Sequence, residues 1–130
     1  MARKESEGLT PVELEVMKTL WSTGPANVQT IQQAIPRDLA YTTVQTVLNI
    51  LTRKGKVKRV LKERAYIYRA AVSRAEVARR SVRDLVDRLF EGSPEDLVLS
   101  LVDSHDVTTE TVNRLKTLLE ARRKGGHGKR

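Results

Sequence analysis

The residues best suited to chemistry lie on one side of a helix that the sequence predicts over residues 41–54. One side of its helical wheel is apolar: Val44, Val47, Leu48 and Leu51. The opposite side, spanning about 140° to 200° from Val44, has short polar side chains and one cation: Thr42, Thr46, Asn49 and Arg53, with Gln45 at the edge. Amide side chains can form two hydrogen bonds with adenine, Thr can bond bases or phosphates, and Arg can bond guanine or phosphate. The pattern predicts a helix that enters the major groove of DNA.

Eight residues of this helix form the predicted DNA-binding set: Tyr41, Thr42, Thr43, Gln45, Thr46, Asn49, Arg53 and Lys54. We expect Thr42, Gln45, Thr46 and Asn49 to face base edges, and Arg53 and Lys54 to hold phosphates. The alternative is an ordinary amphipathic helix with a solvated face. Such faces are usually richer in Glu and Lys, whereas the exposed positions up to Asn49 carry no charge.

A basic segment follows this helix and predicts a β-hairpin. Residues 57–60 and 65–68 are rich in β-branched and aromatic side chains, with a turn expected at residues 61–64. Between Arg53 and Arg69 there are eight cations and one acid. We expect four of the cations to contact phosphates: Lys58, Arg59, Lys62 and Arg64. The alternative is a hairpin whose charges only increase solubility.

Two further helices, the second of them short, precede the helix over 41–54 and the hairpin and must position them. Thr10-Pro11-Val12-Glu13 is a capping box, and Gly24-Pro25 ends the helix that it opens. Asn27 caps a second helix that Pro36 closes, and Gly55 ends the third. Three helices and a hairpin in this order predict a winged helix-turn-helix within a mainly α chain.

The second half of the chain predicts three more helices. Ser73-Arg74-Ala75-Glu76 opens a helix through about residue 90, Ser93 caps a short one, and the last starts near Thr108. Residues 97–102 are apolar nearly all round, so they need cover on more than one side. We expect an N-terminal tail over residues 1–8, a winged helix over 9–70, a helical region over 71–121 and a basic, frayed tail over 122–130.

Charge and composition narrow the class of protein. The net charge is +8, and residues 1–70 hold 12 Lys and Arg against 6 Asp and Glu, which favours a nucleic-acid partner in that half. The absence of cysteine excludes disulfides and thiolate metal sites. His105 and His127 have no ligand partners at metal-binding spacing, so we expect no metal. No phosphate-binding loop, nucleophile–base pair or pair of carboxylates stands out, so we expect no cofactor and no enzyme activity. Without a secretory signal or a long apolar run, the cytoplasm is the expected compartment.

The sequence resembles the BlaI/MecI/CopY family of bacterial repressors over residues 9–119. The resemblance is carried by the segments Leu9-Thr10 with Glu13, Glu15-Val16-Met17, Leu20-Trp21, Ala40 to Leu48, Lys54-Gly55, Tyr66-Ile67-Tyr68 and Leu89-Phe90-Glu91-Gly92-Ser93. It implies a repressor that binds inverted-repeat operators through its winged helix. It also implies a C-terminal half that joins two chains through apolar side chains: Val82, Leu85, Leu89, Leu97, Leu101, Leu115 and Leu119.

The sequence departs from this family at three points. The copper-responsive branch has a cysteine-rich metal hook, and this chain has no cysteine. In the antibiotic-responsive branch a membrane sensor-protease triggers cleavage of an Asn-Phe bond, and the matching positions here are Ser100-Leu101. A basic residue that the family often has near Ile50 is also absent, which removes one phosphate contact.

Two alternatives to a sequence-specific repressor stay open from the residues alone. The winged helix could be a protein-interaction module, against which the uncharged polar face over residues 42–49 and the basic first half both argue. A DNA-architectural protein with little sequence preference would share the same basic patch. Binding to duplex DNA at low salt, and its dependence on sequence, discriminates among the three.

Overall fold

The computed structural model describes residues 8–126, which form two compact units, one ending at Ser81 and the other beginning at Val82. The elements in chain order are α1 Pro11–Thr23, α2 Val28–Ala34, α3 Tyr41–Arg53, β1 Val57–Lys62, β2 Ala65–Ala70, α4 Arg74–Leu89, α5 Pro94–Asp103 and α6 Thr109–Gly126. Helices α1 to α3 and the hairpin belong to the first unit. Helix α4 begins in the first unit and ends in the second.

Local signals set the ends of the first three helices as predicted. The Thr10 hydroxyl accepts the Glu13 backbone N–H at 3.2 Å, and the Glu13 carboxylate accepts the Thr10 N–H at 2.9 Å. The Asn27 side chain caps α2 by accepting the Thr30 N–H at 2.8 Å. After α3, Gly55 takes a φ of 79°, a left-handed conformation that glycine adopts without steric cost.

The core of the first unit lies where the three helices meet the hairpin. Its fully buried side chains are Val16, Met17, Leu20, Ile31, Val44, Leu48, Leu51, Val57 and Tyr68. The first seven come from α1, α2 and α3, and the last two come from the hairpin. The hairpin is therefore packed into the core at its base.

The hairpin is longer and its turn tighter than the sequence predicted. Pairing runs from Val57 opposite Ala70 to Lys62 opposite Ala65, so the expected four-residue turn at 61–64 contains only Glu63 and Arg64. Both have positive φ, 50° and 77°, as a two-residue type I′ turn requires. This turn usually contains Asn-Gly, so the Glu63-Arg64 pair gave no local signal for it.

A backbone contact that the sequence did not predict ties the hairpin to the segment between α1 and α2. The Ala26 N–H donates to the Tyr68 carbonyl at 3.0 Å, and the Tyr68 N–H donates to the Ala26 carbonyl at 2.8 Å. This isolated bridge fixes strand β2 on both edges. It therefore limits how far the hairpin can move against the helices.

The first unit extends past the predicted boundary at residue 70. The Trp21 indole N–H donates to the Val72 carbonyl at 3.0 Å, and Val72 packs against the core. The capping box predicted at Ser73 is present, because Ser73 N–H donates to the Glu76 carboxylate at 2.8 Å and Glu76 N–H donates to Ser73 Oγ at 3.0 Å. The chain therefore enters α4 immediately after the hairpin.

The second unit contains the end of α4 together with α5 and α6, capped at Ser93 and Thr108 as predicted. Helix α6 continues to Gly126 rather than ending at residue 121. The residues from Ala121 to Lys124 are good helix formers, and cations in a last turn interact favourably with the helix dipole. The predicted tail at 122–130 is thus partly helical. Its last four residues, including His127, and residues 1–7 of the predicted N-terminal tail lie outside the described residues.

Candidate nucleic-acid interface

Helix α3 presents the predicted polar face to solvent. Val44, Val47, Leu48 and Leu51 are buried, whereas Tyr41, Thr42, Thr43, Thr46, Asn49 and Arg53 are exposed and Gln45 is half-buried. Burial of the apolar stripe leaves no freedom in the rotation of the helix about its axis. Seven of the eight residues assigned to DNA contact therefore lie on one accessible surface, with Lys54 as the exception.

No acidic side chain in the first turn of α3 neutralises the positive end of its helix dipole. Its N-cap residue, Ala40, makes no side-chain capping hydrogen bond, and the first turn contains no acidic residue. The first backbone N–H groups of a helix have no partner within it, and the helix dipole is positive at this end. The first turn of α3, from Tyr41 to Thr43, can therefore accept a phosphate oxygen.

A cleft of about 330 Å³ separates the N-terminal half of α3 from the hairpin. It is lined by Asn27, Val28, Gln29, Tyr41, Gln45, Arg64, Ala65, Tyr66 and Tyr68. The side chain of Gln45 crosses part of it, and its Nε2 donates to the Tyr68 hydroxyl at 3.3 Å. The polar face of α3 and the hairpin thus form one continuous surface.

The strand register divides the hairpin cations between two faces. Arg59 lies opposite Tyr68, and Leu61 lies opposite Tyr66, so these side chains share the face that includes the buried Tyr68. Lys58 and Lys62 lie on the other face, where Lys58 is opposite Arg69. Arg64 is in the turn and lines the cleft. The four residues predicted to contact phosphates therefore lie on different sides of the hairpin.

Arg59 is held by an aromatic ring. Its guanidinium carbon lies 4.1 Å from the centroid of the Tyr66 ring, within the range of a cation–π contact. The Tyr66 ring in turn lies 6.3 Å from that of Tyr68, tilted by 56°. This packing orients the cation without neutralising it, so Arg59 stays available for a phosphate.

The Lys54 ammonium is paired within the first unit, and its predicted role as a phosphate contact stays a prediction. Its ammonium donates to Glu13 Oε1 at 2.7 Å and to the Gly8 carbonyl at 3.0 Å. The Lys54 and Glu13 side chains are only 15% and 5% exposed. The charge of Lys54 is therefore balanced inside the first unit, where it joins the end of α3 to the start of α1.

A second ion pair connects α1 to the segment between α2 and α3. Arg37 donates three hydrogen bonds to the Glu15 carboxylate, from Nε to Oε1 at 3.1 Å and to Oε2 at 2.9 Å, and from Nη2 to Oε1 at 2.8 Å. The hydrogen bond from Arg37 lowers the pKa of Glu15 below its usual value, and the same contact raises the pKa of Arg37. The charge of Arg37, which precedes α3 in the chain, is therefore balanced by Glu15.

Three hairpin residues that contact or adjoin the predicted set were not assigned to the site from the sequence. Tyr66 and Tyr68 contact Arg59 and Gln45, and Arg69 adds a cation beside Lys58. The signal available was the alternation of side chains along residues 65–69, which places every second residue on one face. Within residues 8–126 no group of three or more His, Cys, Asp or Glu side chains is arranged to hold a metal ion.

Known proteins match this chain over most of its length. The family model described as penicillinase repressor matches residues 9–121. The chain belongs to the penicillinase repressor family. Its relatives in this family include the transcriptional regulator BlaI of Mycobacterium tuberculosis, which is 36% identical over 126 residues, covering 94% of this chain and 89% of that protein. The penicillinase repressor of Bacillus licheniformis is 23% identical over 119 residues, covering 90% of this chain and 93% of that protein.

Among solved structures, the chain is similar to a MarR family protein from Bacillus stearothermophilus, with a TM-score of 0.46 and 24% identity over 75% of this chain and 74% of that chain.

Members of the penicillinase repressor family are DNA-binding transcriptional repressors and not enzymes. The mainly α winged helix-turn-helix predicted from the sequence is confirmed. None of the described helices is both long and apolar enough to span a membrane.

Proposed function

We propose that this member of the penicillinase repressor family binds an inverted-repeat operator as a homodimer and represses transcription by occluding a promoter in the bacterial cytoplasm. The observation that carries the proposal is the continuous surface formed by the uncharged polar face of α3 and the cationic hairpin. Uncharged polar side chains can form hydrogen bonds with base edges, and the cations of the hairpin can contact phosphates. An interface for an acidic protein would need the cations but not this face.

Base edges and phosphates are assigned to different residues of this surface. Thr42, Gln45, Thr46 and Asn49 face the bases, because they follow one another along the exposed side of α3. The cations Arg53, Lys58, Arg59, Lys62 and Arg64 hold phosphates, and Tyr41 and Thr43 border the open N-terminus of α3. Lys54 is excluded from this assignment, since Glu13 already neutralises it.

Dimerisation is supported by the difference in burial of apolar side chains between the two units. Within the described residues, the buried apolar side chains fall almost entirely in the first unit, and from Val82 onward only Val86 is buried. Ten large hydrophobic side chains of the second unit are exposed: Val82, Leu85, Leu89, Val98, Leu99, Leu101, Val102, Leu115, Leu118 and Leu119. So much exposed apolar surface is unfavourable in water and is typical of an obligate partner surface. A second copy would place one winged helix on each half-site.

A substitution of Gln45 tests the base-contacting face. Gln45→Ala removes the amide, and we expect it to weaken binding to the preferred duplex by about 1–3 kcal/mol while leaving binding to random-sequence DNA unchanged. Equal losses on both kinds of DNA would exclude Gln45 from base recognition. A protein that binds no duplex at low salt would instead favour a protein-interaction module, and binding without sequence preference would favour an architectural role.

A pair of charge substitutions on α6 tests the homodimer. Leu115→Glu places a carboxylate in the proposed apolar interface, whereas Lys116→Glu introduces the same side chain one position further along the helix. We expect sedimentation equilibrium to give a dimer for the native chain and for Lys116→Glu, and a shift towards monomer for Leu115→Glu. The same mass for both variants would contradict the assignment of Leu115 to the interface.

The membrane sensor-protease implied by the resemblance stays a prediction. The matching bond, Ser100-Leu101, lies inside α5, and both residues are exposed. Because a peptide bond in a regular helix is hydrogen-bonded on both sides, cleavage there would require part of α5 to unwind first.

A further inference from the structure

The hydrogen bond between the hairpin and α3 points to a residue that determines sequence preference without touching DNA. We infer that the Tyr68 hydroxyl anchors the Gln45 side-chain amide in the cleft and so determines how strongly Gln45 prefers one base pair. The inference rests on the proposed function, since it takes Gln45 as a base-contacting residue. Tyr68 is thus a positioning residue.

Tyr68 is well placed to hold another side chain still. Its side chain is completely buried, and its backbone N–H and carbonyl are both bonded to Ala26 on the edge of the hairpin away from β1. The Tyr68 hydroxyl therefore has a fixed position relative to the helices. At this position it accepts Gln45 Nε2 at 3.3 Å across a separation of 23 residues in sequence.

The chemistry of the amide explains why its orientation matters. A Gln side chain has two N–H donors on nitrogen and one oxygen acceptor. With one N–H donated to Tyr68, the second N–H and the oxygen stay available for adenine N7 and N6, the bidentate pattern that distinguishes adenine. A side chain without this anchor could leave the position from which both groups reach one base, which would relax the preference.

The half-buried position of Gln45 strengthens this constraint. Its neighbours on the exposed side of α3, Thr46 and Asn49, are exposed, so water can reorient them freely. Gln45 instead lies in the cleft lined by Tyr41, Tyr66 and Tyr68, where fewer rotamers fit. The structure therefore organises this one amide before DNA arrives, which reduces the entropy lost on binding.

The experiment compares Tyr68→Phe with Thr19→Val, which removes a buried hydroxyl from α1 outside the proposed interface. Both are measured on two kinds of duplex, one carrying the sequence that the protein prefers and one random. Tyr68→Phe keeps the buried ring and removes only the hydroxyl. We expect the ratio of the two affinities to fall about threefold to tenfold for Tyr68→Phe, as for loss of one neutral hydrogen bond. Random-duplex affinity and the salt dependence should not change. The Thr19 hydroxyl donates to the Glu15 carbonyl at 3.0 Å within α1, so Thr19→Val should leave the ratio unchanged.

A double substitution separates failure of this inference from failure of the proposed function. In a Gln45→Ala background, Tyr68→Phe should have no further effect on the ratio, because it acts through Gln45. If Gln45→Ala lowers the ratio and Tyr68→Phe does not, the inference is overturned and the proposed function stands. If Gln45→Ala leaves the ratio unchanged, both the base contact and the inference fail. A drop of equal size in Thr19→Val would also overturn the inference.

A measurement on the free protein checks the hydrogen bond without DNA. Nuclear magnetic resonance of the full chain resolves the two side-chain amide protons of each Gln. In Tyr68→Phe the Gln45 amide protons should shift, and their exchange with water should accelerate, while those of Gln33, which is exposed on α2, should not change. Unchanged Gln45 amide protons would contradict the proposed positioning role.

Discussion

Removing the Lys54 ammonium should destabilise the protein without weakening its electrostatic contact with DNA. Lys54→Met preserves the length and most of the apolar stem of the side chain but leaves the Glu13 carboxylate in a site that is only 5% exposed. Loss of one partner of a fully buried ion pair costs about 3–5 kcal/mol. Lys54 is 15% exposed and Glu13 retains the Thr10 N–H at 2.9 Å, so we expect about 2–3 kcal/mol, the range of a hydrogen bond to a charged group.

Lys58→Met is the matched control, because it makes the same chemical change at an exposed cation on β1. We expect a change in unfolding free energy of no more than about 0.5 kcal/mol. The slope of log K against log salt on random duplex DNA should fall by about 0.9 for each bound protomer in Lys58→Met and stay unchanged in Lys54→Met. Urea unfolding at one protein concentration and binding between low and moderate salt measure the two quantities.

The reciprocal substitution completes the test. Glu13→Gln removes the buried carboxylate, so Lys54→Met should cost less in that background than in the native chain. The argument would be refuted by the opposite pattern, in which Lys54→Met leaves stability within about 0.5 kcal/mol and lowers the salt slope. Lys54 would then contact phosphate, as the sequence alone had predicted.

Two further predictions follow from the charged groups. Arg59→Ala should weaken binding to preferred and random DNA alike and lower the salt slope by about 0.9 per protomer; an unchanged slope would remove Arg59 from the phosphate contacts. The pKa of Glu76 lies below its usual value of 4.5, first because it accepts the Ser73 N–H and then because of the Ser73 hydroxyl, Arg79 and Arg80. A carboxylate with a lowered pKa in the folded state stabilises the protein above its unfolded pKa, and this contribution disappears as the pH falls through the folded pKa. The stability difference between native protein and Glu76→Gln should therefore be present at neutral pH and shrink below about pH 4.5, whereas a difference that stays constant down to pH 3 would argue against it.

The sequence predicted those features of the fold that depend on neighbouring residues. Each capping box, at Thr10 and at Ser73, involves only four consecutive residues, so both could be recognised directly in the sequence. Gly55 likewise ended α3 through its own backbone preference. The tight hairpin turn was missed because Glu63 and Arg64 adopt left-handed conformations that their side chains do not favour. There the pairing of the strands, and not the turn residues, sets the conformation.

The exposed face proposed to contact DNA could be predicted from the sequence, but the contacts that its residues make within the first unit could not. The exposed face of α3 follows from helical periodicity, which is a local property. The pairing of Lys54 with Glu13 spans 41 residues and that of Gln45 with Tyr68 spans 23, so neither leaves a pattern in a short window of sequence. These two contacts follow from the packing of α1 and of the hairpin against α3.

The central claim is tested most directly by exposing the purified full chain to a pool of random-sequence duplexes, sequencing the bound fraction, and measuring the mass of the resulting complex. The account predicts enrichment of an inverted repeat bound by two copies of the chain, with affinity that falls steeply as salt rises. Binding without an enriched sequence, or an enriched site occupied by a single copy, would contradict it.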